Sequence, residues 1–258
     1  MKRRVIELEP EVADWAEQLV AAEFGIAAFA LNQIAALGAL RAGPRVRRIG
    51  GERDPLQVMR LYPKTEPAGL VYWCAPGHRT VLLTVWRTAR ISETHEAERA
   101  RGALRDCARH TPFDHRRWTD VWGRRITEPG AAEMYQQAAL AHAFGQHVHH
   151  LRRLRRLSTA DLAALADTTG PLVERCECGG LMTTTPAAER IATALGCRHL
   201  LDRLPPPVPM PGVNDDAFDD AAWPPPVHPD TERAQHQAPR RRRLLPRRGA
   251  RDRRAIRP

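Results

Sequence analysis

The side chains best able to do chemistry in this 258-residue chain are its cysteines and histidines, and their spacing argues against a metal centre. Cys176 and Cys178, with Cys197 and His199 downstream, offer four donors. A C-x-C pair lacks the usual C-x-x-C spacing, however, and Cys176 falls on the apolar stripe of a helix. His147, His149 and His150 share one helical segment, where packed or solvated histidines are expected. No Ser/His/Asp or Cys/His arrangement has supporting context, and there is no P-loop and no G-x-G-x-x-G. No metal and no cofactor are expected.

The remaining chemistry is that of a surface meeting nucleic acid. Ser158 and Asp161 form an S-x-x-D capping box opening a short helix, Thr159–Ala166. Asp167-Thr168 reads as a tight turn, and Thr169 as the cap of a second short helix, Gly170–Glu177. Leu172, Val173 and Cys176 point inward on it, and Gly179-Gly180 ends it. Thr185-Pro186 caps a further helix that turns Ala188, Ile191 and Leu195 to the core. The small Ala163 and Ala166 let the two central helices cross closely. Two short helices across a turn, braced by a longer helix on each side, follow the helix-turn-helix plan. The second helix of that plan enters the major groove, and helix N-termini offer backbone amides to phosphates.

The run LSTADLAALADTTGPLVERCECGG with the later ERIATALG resembles the Cro/repressor (Xre) family over about 65 residues. The resemblance implies a DNA-binding domain over residues 138–204 that acts on double-stranded operator DNA. It places Thr159 on a phosphate. It puts Thr169, Gly170, Pro171 and Val173 at the groove, counts Thr168 and Arg175 with them as DNA-binding residues, and matches Arg175 and Glu177 to the family's paired charges. Neither Gly170 nor Pro171 can make a bidentate base contact. Domains of this family pair on palindromic sites, so a homodimer is an expectation.

Charge is unevenly spread. The net charge is +10, yet residues 233–258 alone carry eleven arginines against Asp252, and residues 205–232 carry six acids and no Lys or Arg. The region before residue 205 is therefore only mildly basic. Residues 205–258, rich in Pro and Arg, read as a disordered tail able to add nonspecific phosphate affinity. Five cysteines without a secretory signal suit a reducing, cytoplasmic setting. No stretch reaches the roughly 18 apolar residues a membrane helix needs.

The elements that must position these residues begin with an alternating strand, Arg4–Glu9, broken by Pro10. Helical spacing follows through Leu19, and again from Glu23 to Leu37. Leu56–Tyr62, Leu70–Ala75 and Thr80–Arg87 read as strands of an antiparallel meander, with Pro76-Gly77 as a turn. Ser92 opens a charged amphipathic helix to about His110. Residues 1–112 are thus expected to be an α+β domain, a small antiparallel sheet with helices on one face. Residues 113–137 are expected to be a linker that turns helical at its end, and residues 131–157 a nearly continuous helix weakened at Gly145.

VIELEPEV, GLVYWCAPGHRTVLLTVWRTAR and the AERARGAL helix together look like the RelE/HigB superfamily of bacterial toxins, in its phage-derived branch. That resemblance implies a metal-independent, ribosome-dependent mRNA endonuclease. Its basic side chains stabilise charge on the scissile phosphate, here Arg60, Arg79, Arg87 and Arg90. Gly69 and Thr88 stand where the family carries basic residues, which implies weakened catalysis. The two resemblances imply a toxin and its antitoxin fused in one chain, touching intramolecularly and acting as a transcriptional autoregulator. The alternative is an mRNA endonuclease restrained by its own helical domain.

Overall fold

Sequence punctuation and alternation set the element order in the computed structural model, which describes residues 4–37, 43–51, 54–63, 66–87, 91–109 and 115–197. Strand β1 (Val5–Leu8) is followed by α1 (Pro10–Gln18) and α2 (Ala21–Leu37). Pro10 opens α1, where an amide would have no helical acceptor. After a single 3-10 turn at Gly43–Arg45 come β2 (Val46–Arg48), β3 (Leu56–Leu61), β4 (Ala68–Ala75) and β5 (Arg79–Arg87). Helix α3 (Glu93–Cys107) follows, with the Ser92 side chain accepting the His95 amide at its start. The chain continues through β6 (Arg116–Arg117), α4 (Trp118–Arg125), α5 (Ala131–Leu154), α6 (Thr159–Leu165), α7 (Gly170–Glu177) and α8 (Pro186–Ala194).

The six strands form one sheet in the order β2-β3-β4-β5-β1-β6. The β2-β3-β4-β5 meander is antiparallel, while β1 enters parallel to β5, with Val5 opposite Arg79 and Leu8 opposite Leu82. A bulge interrupts β5 opposite Val71 and Tyr72. It shifts which residues of β5 face each side of the sheet.

Two findings correct the sequence reading. First, helices cover both faces of the sheet. One face, through Leu8, Met59, Leu70, Tyr72 and Leu82, packs on α1, α2, α4 and α5. The other, through Val58, Val71, Trp73, Val81 and Trp86, packs on α3. The near-continuous burial of β4 and β5 is what two-sided cover requires. Second, residues 115–137 are no mere connector. Trp118, Val121, Trp122 and Tyr135 are buried in the first core, and the Trp118 indole donates to the Asn32 side chain at 3.1 Å.

Helix α5 joins the two halves. Its first turns lie on α2, where Gly25 meets the backbone of Ala131 and Tyr135 without room for a Cβ. Its later turns lie on α7, and Gly145, expected to weaken the helix, is where the carbonyl of Cys176 comes closest. Phe144 and Val148 then enter a third core with Leu162, Val173, Cys176, Ile191 and Leu195. All the described residues fall in one unit, Met1–Pro226. The tail expected from residue 205 lies outside the described residues. Among the described residues no helix is long and apolar enough to cross a membrane.

Candidate nucleic-acid interface

Helix α6 starts on the expected capping box: Ser158 Oγ accepts the Asp161 amide at 3.0 Å, and Asp161 Oδ2 accepts the Ser158 amide at 2.8 Å. The turn to α7 runs through Asp167 in the left-handed region, φ 46°. Thr169 caps α7 by its extended backbone alone, for its side chain makes no capping bond. Pro171 sits in the first turn, where proline is tolerated.

Of the residues assigned to DNA, Thr169 and Pro171 are exposed and Thr159, Thr168 and Gly170 are half-buried. Two others are placed differently. Val173 is fully buried among Leu162 and Ile191, because it shares the inward stripe of α7 with Cys176. Helical periodicity thus overrides the family position. Arg175 points back to the sheet half: its Nε donates to the Gly180 carbonyl at 2.8 Å, and its guanidinium lies 5.4 Å from the centre of the Tyr62 ring. Glu177 is buried too, ion-paired with Arg152 and bonded to His149.

The C-terminal end of α7 is covered by the chain's N-terminal half. Arg45 Nε donates to the Cys178 carbonyl at 2.8 Å, a cation on the negative end of the helix. That arginine is completely buried, and desolvation pushes its pKa down to about 10. Nearby His142 is pushed down to about 3 by burial and by the Arg45 charge, so it is neutral. The Tyr62 ring fills the space a Cβ on Gly180 would need. The opposite end of α7 presents Thr169, Pro171 and Glu174 to solvent. Arg153, Arg155 and Arg156, all exposed, immediately precede the α6 cap in the chain.

A second surface lies at one end of the sheet. Arg47, Arg60, Leu61, Tyr62, Pro67, Ala68 and Trp86 line an open cleft of about 280 Å³. Arg47 is held by Glu93 through two 2.6 Å hydrogen bonds and lies 5.7 Å from the Trp86 ring centre. The Arg47 guanidinium keeps the Glu93 carboxyl below its ordinary pKa. Burial, followed by the nearby Cys178 thiol, pushes the Tyr62 phenol up to about 12. Arg60 lines the cleft with no carboxylate ion pair among the described residues.

Of the four arginines assigned to catalysis, Arg60 and Arg87 stand at the same end of the sheet, flanking Gly69 and Ala68 of β4, while Arg79 stands at the other end. Arg87 lies at the far end of β5, half-exposed, 3.6 Å from Glu66. Arg79 begins the same strand, roughly 26 Å away at about 3.3 Å per residue. It is buried and grips Glu7 through Nε and Nη2 at 2.6 and 2.8 Å. It is therefore a structural ion pair, not part of a phosphate site. Arg90 lies outside the described residues. The sequence reading missed Arg47, Tyr62 and Trp86 as partners of Arg60. Trp86 and Tyr62 lie in or just after predicted strands, and Arg47 lies in β2, which is too short to announce itself. Comparison with protein-family models, with curated proteins and with solved structures finds no match to this chain.

Proposed function

We propose that the chain is a DNA-binding transcriptional regulator of toxin–antitoxin type, an Xre-like helix-turn-helix unit (α5–α8) fused to a RelE-like sheet layer. The observation that carries this reading is the packed α6–α7 pair, whose α7 leaves its N-terminal turn open at Thr169, Gly170 and Pro171. The N-terminal residues of a recognition helix are the ones that reach base edges. Its C-terminal end can therefore rest on the sheet half without closing the groove-facing turn. Only Glu174 among the exposed α7 side chains is charged, so affinity must come mainly from phosphate contacts and helix amides. The test is a gel shift of the full chain on the DNA upstream of its own gene, repeated without residues 205–258 and across salt. A shift that survives tail deletion supports the reading. Loss of every shift at low salt, or a shift owed wholly to the tail, defeats it.

A second reading rests on Arg60 in the cleft beside Trp86 and Tyr62. A guanidinium with no carboxylate partner among the described residues, next to aromatic faces, suits a ribonucleotide chain and a RelE-type cleavage of mRNA. Growth arrest on expressing the full chain, relieved by Arg60→Ala, would favour it. Equal growth for both proteins would remove it.

A further inference from the structure

Away from both surfaces, one buried cluster brings sulfur, nitrogen and oxygen donors to a point. Glu9 follows β1, Cys107 ends α3 and His115 precedes β6. Cys107 Sγ lies 3.6 Å from His115 Nε2, and that nitrogen lies 3.1 Å from a Glu9 carboxylate oxygen. The three donor atoms all lie within 4.8 Å of one another. A tetrahedral ion with a sulfur at about 2.3 Å and nitrogen and oxygen at about 2.0–2.1 Å has an S···N edge of about 3.6 Å and an N···O edge of about 3.3 Å. The donors already stand close to these spacings.

The surroundings of the histidine support the same use. His115 Nδ1 meets a Glu7 oxygen at 2.9 Å, and Glu7 is itself held by both arms of Arg79. A ligating imidazole presents one nitrogen to the ion and donates the other N–H to a carboxylate, which fixes its tautomer and orientation. A divalent ion would offset the Cys107 thiolate and Glu9, while Arg79 is paired with Glu7. One thiolate, one imidazole and one carboxylate select zinc-like ions over magnesium or calcium.

We propose that Glu9, Cys107 and His115 bind a divalent ion of the zinc class, with Glu7 and Arg79 orienting His115. The ion ties the C-terminal end of α3, on one face of the sheet, to the edge formed by β1 and β6. Three protein donors leave one tetrahedral position for a water molecule. The His115 side chain is only 3% exposed, so the ion is enclosed. Binding takes a proton from the Cys107 thiol and leaves the His115 Nε2 lone pair on the metal, so uptake releases protons.

The test uses the reduced, chelator-stripped full chain loaded with Co²⁺. One cobalt per chain is expected, with tetrahedral visible bands and a thiolate-to-cobalt charge-transfer band. Cys107→Ser abolishes that band, while Cys197→Ser, a change away from the cluster, keeps it. X-ray absorption of the wild-type zinc protein needs no variant and is expected to show a single sulfur neighbour among lighter atoms. The proposal is overturned if cobalt does not bind stoichiometrically and the histidine merely bridges Glu7 and Glu9 by hydrogen bonds. It is equally overturned if the band persists in Cys107→Ser, or if the zinc shell holds no sulfur or more than one.

Discussion

Two carboxylates, one in each half of the chain, are held in the same way. Glu7 on β1 takes both arms of Arg79 and Nδ1 of His115. Glu177 on α7 takes both arms of Arg152 and Nδ1 of His149. In each trio an arginine neutralises a buried acid and a histidine fills the remaining lone pair. What differs is the second nitrogen of the histidine. His149 is one-third exposed, whereas His115 is enclosed and aimed at Glu9 and Cys107. The α7 trio therefore acts only as a clamp, fixing the helix to α5. The β1 trio carries a second layer of donors. The same local chemistry does different work according to what lies behind the imidazole.

The largest effect comes from cutting the chain between the trios. A fragment ending at residue 112 loses His115 from the first trio and Trp118, Val121, Trp122 and Tyr135 from the first core. Losing each large aromatic costs about 3–5 kcal/mol, so the three together cost about 9–15 kcal/mol, comparable to the whole of the roughly 5–15 kcal/mol a domain has to spare. The fragment is expected to be unfolded or aggregated by circular dichroism and gel filtration. Its harmlessness in a cell would then say nothing about toxicity. A folded fragment would mean that the sheet half stands without α4 and α5.

Next come the trios themselves. Removing one partner of a buried ion pair costs about 3–5 kcal/mol, because the other charge stays behind unpaired. Glu7→Ala is expected at the upper end of that range, since Glu7 is wholly enclosed with both its partners. Glu177→Ala is expected lower, since water reaches His149. Urea denaturation ranks the two. An equal or reversed order would show that enclosure is not what separates them.

A smaller effect distinguishes the α7 trio by pH. Burial alone would raise the Glu177 pKa, but hydrogen bonds from Arg152 and His149 outweigh it and the net direction is down. A carboxyl depressed in the folded state adds stability above its unfolded value, about 4.3. That stability is lost as pH falls through the lower folded value. The wild-type melting temperature is expected to drop below about pH 4.3, and Glu177→Gln, already less stable, to drop less steeply. Parallel curves would assign the acid sensitivity to other groups.

How much of this was legible from residues alone differs between the halves for a physical reason. The α6–α7 pair is built from short-range signals: a capping box, a tight turn at Asp167-Thr168, and small alanines where the two helices pack. All lie within 23 residues, Ser158–Gly180, and could be read off the sequence. The strands of the meander were legible through β-branched runs bounded by turns. What failed was non-local. Nothing near Arg79 says that Glu7, across a parallel pairing, will claim it. Nothing in residues 113–137 says that two tryptophans there complete a core begun at residue 6. The cluster of Glu9, Cys107 and His115 spans more than a hundred positions, so spacing rules for metal sites never touched it.

The smallest expected effect bears on the seam between the halves. Arg175 lies over the Tyr62 ring and on the Gly180 carbonyl, so it belongs to the contact that fixes the covered end of α7. A cation over an aromatic ring contributes about 0.5–2 kcal/mol, and Arg175→Ala is expected to lose that much stability. Its effect on the proposed DNA binding separates two roles. An arginine reading a base would cost about 1–3 kcal/mol of discrimination when removed, visible as a changed preference among operator variants. An arginine spent on Tyr62 leaves that preference intact and alters only the melting curve, and Tyr62→Leu is expected to reproduce its effect. If Arg175→Ala relaxed sequence preference while Tyr62→Leu did not, α7 would have to leave the sheet half when it meets DNA, and the two halves could not act as one rigid body there.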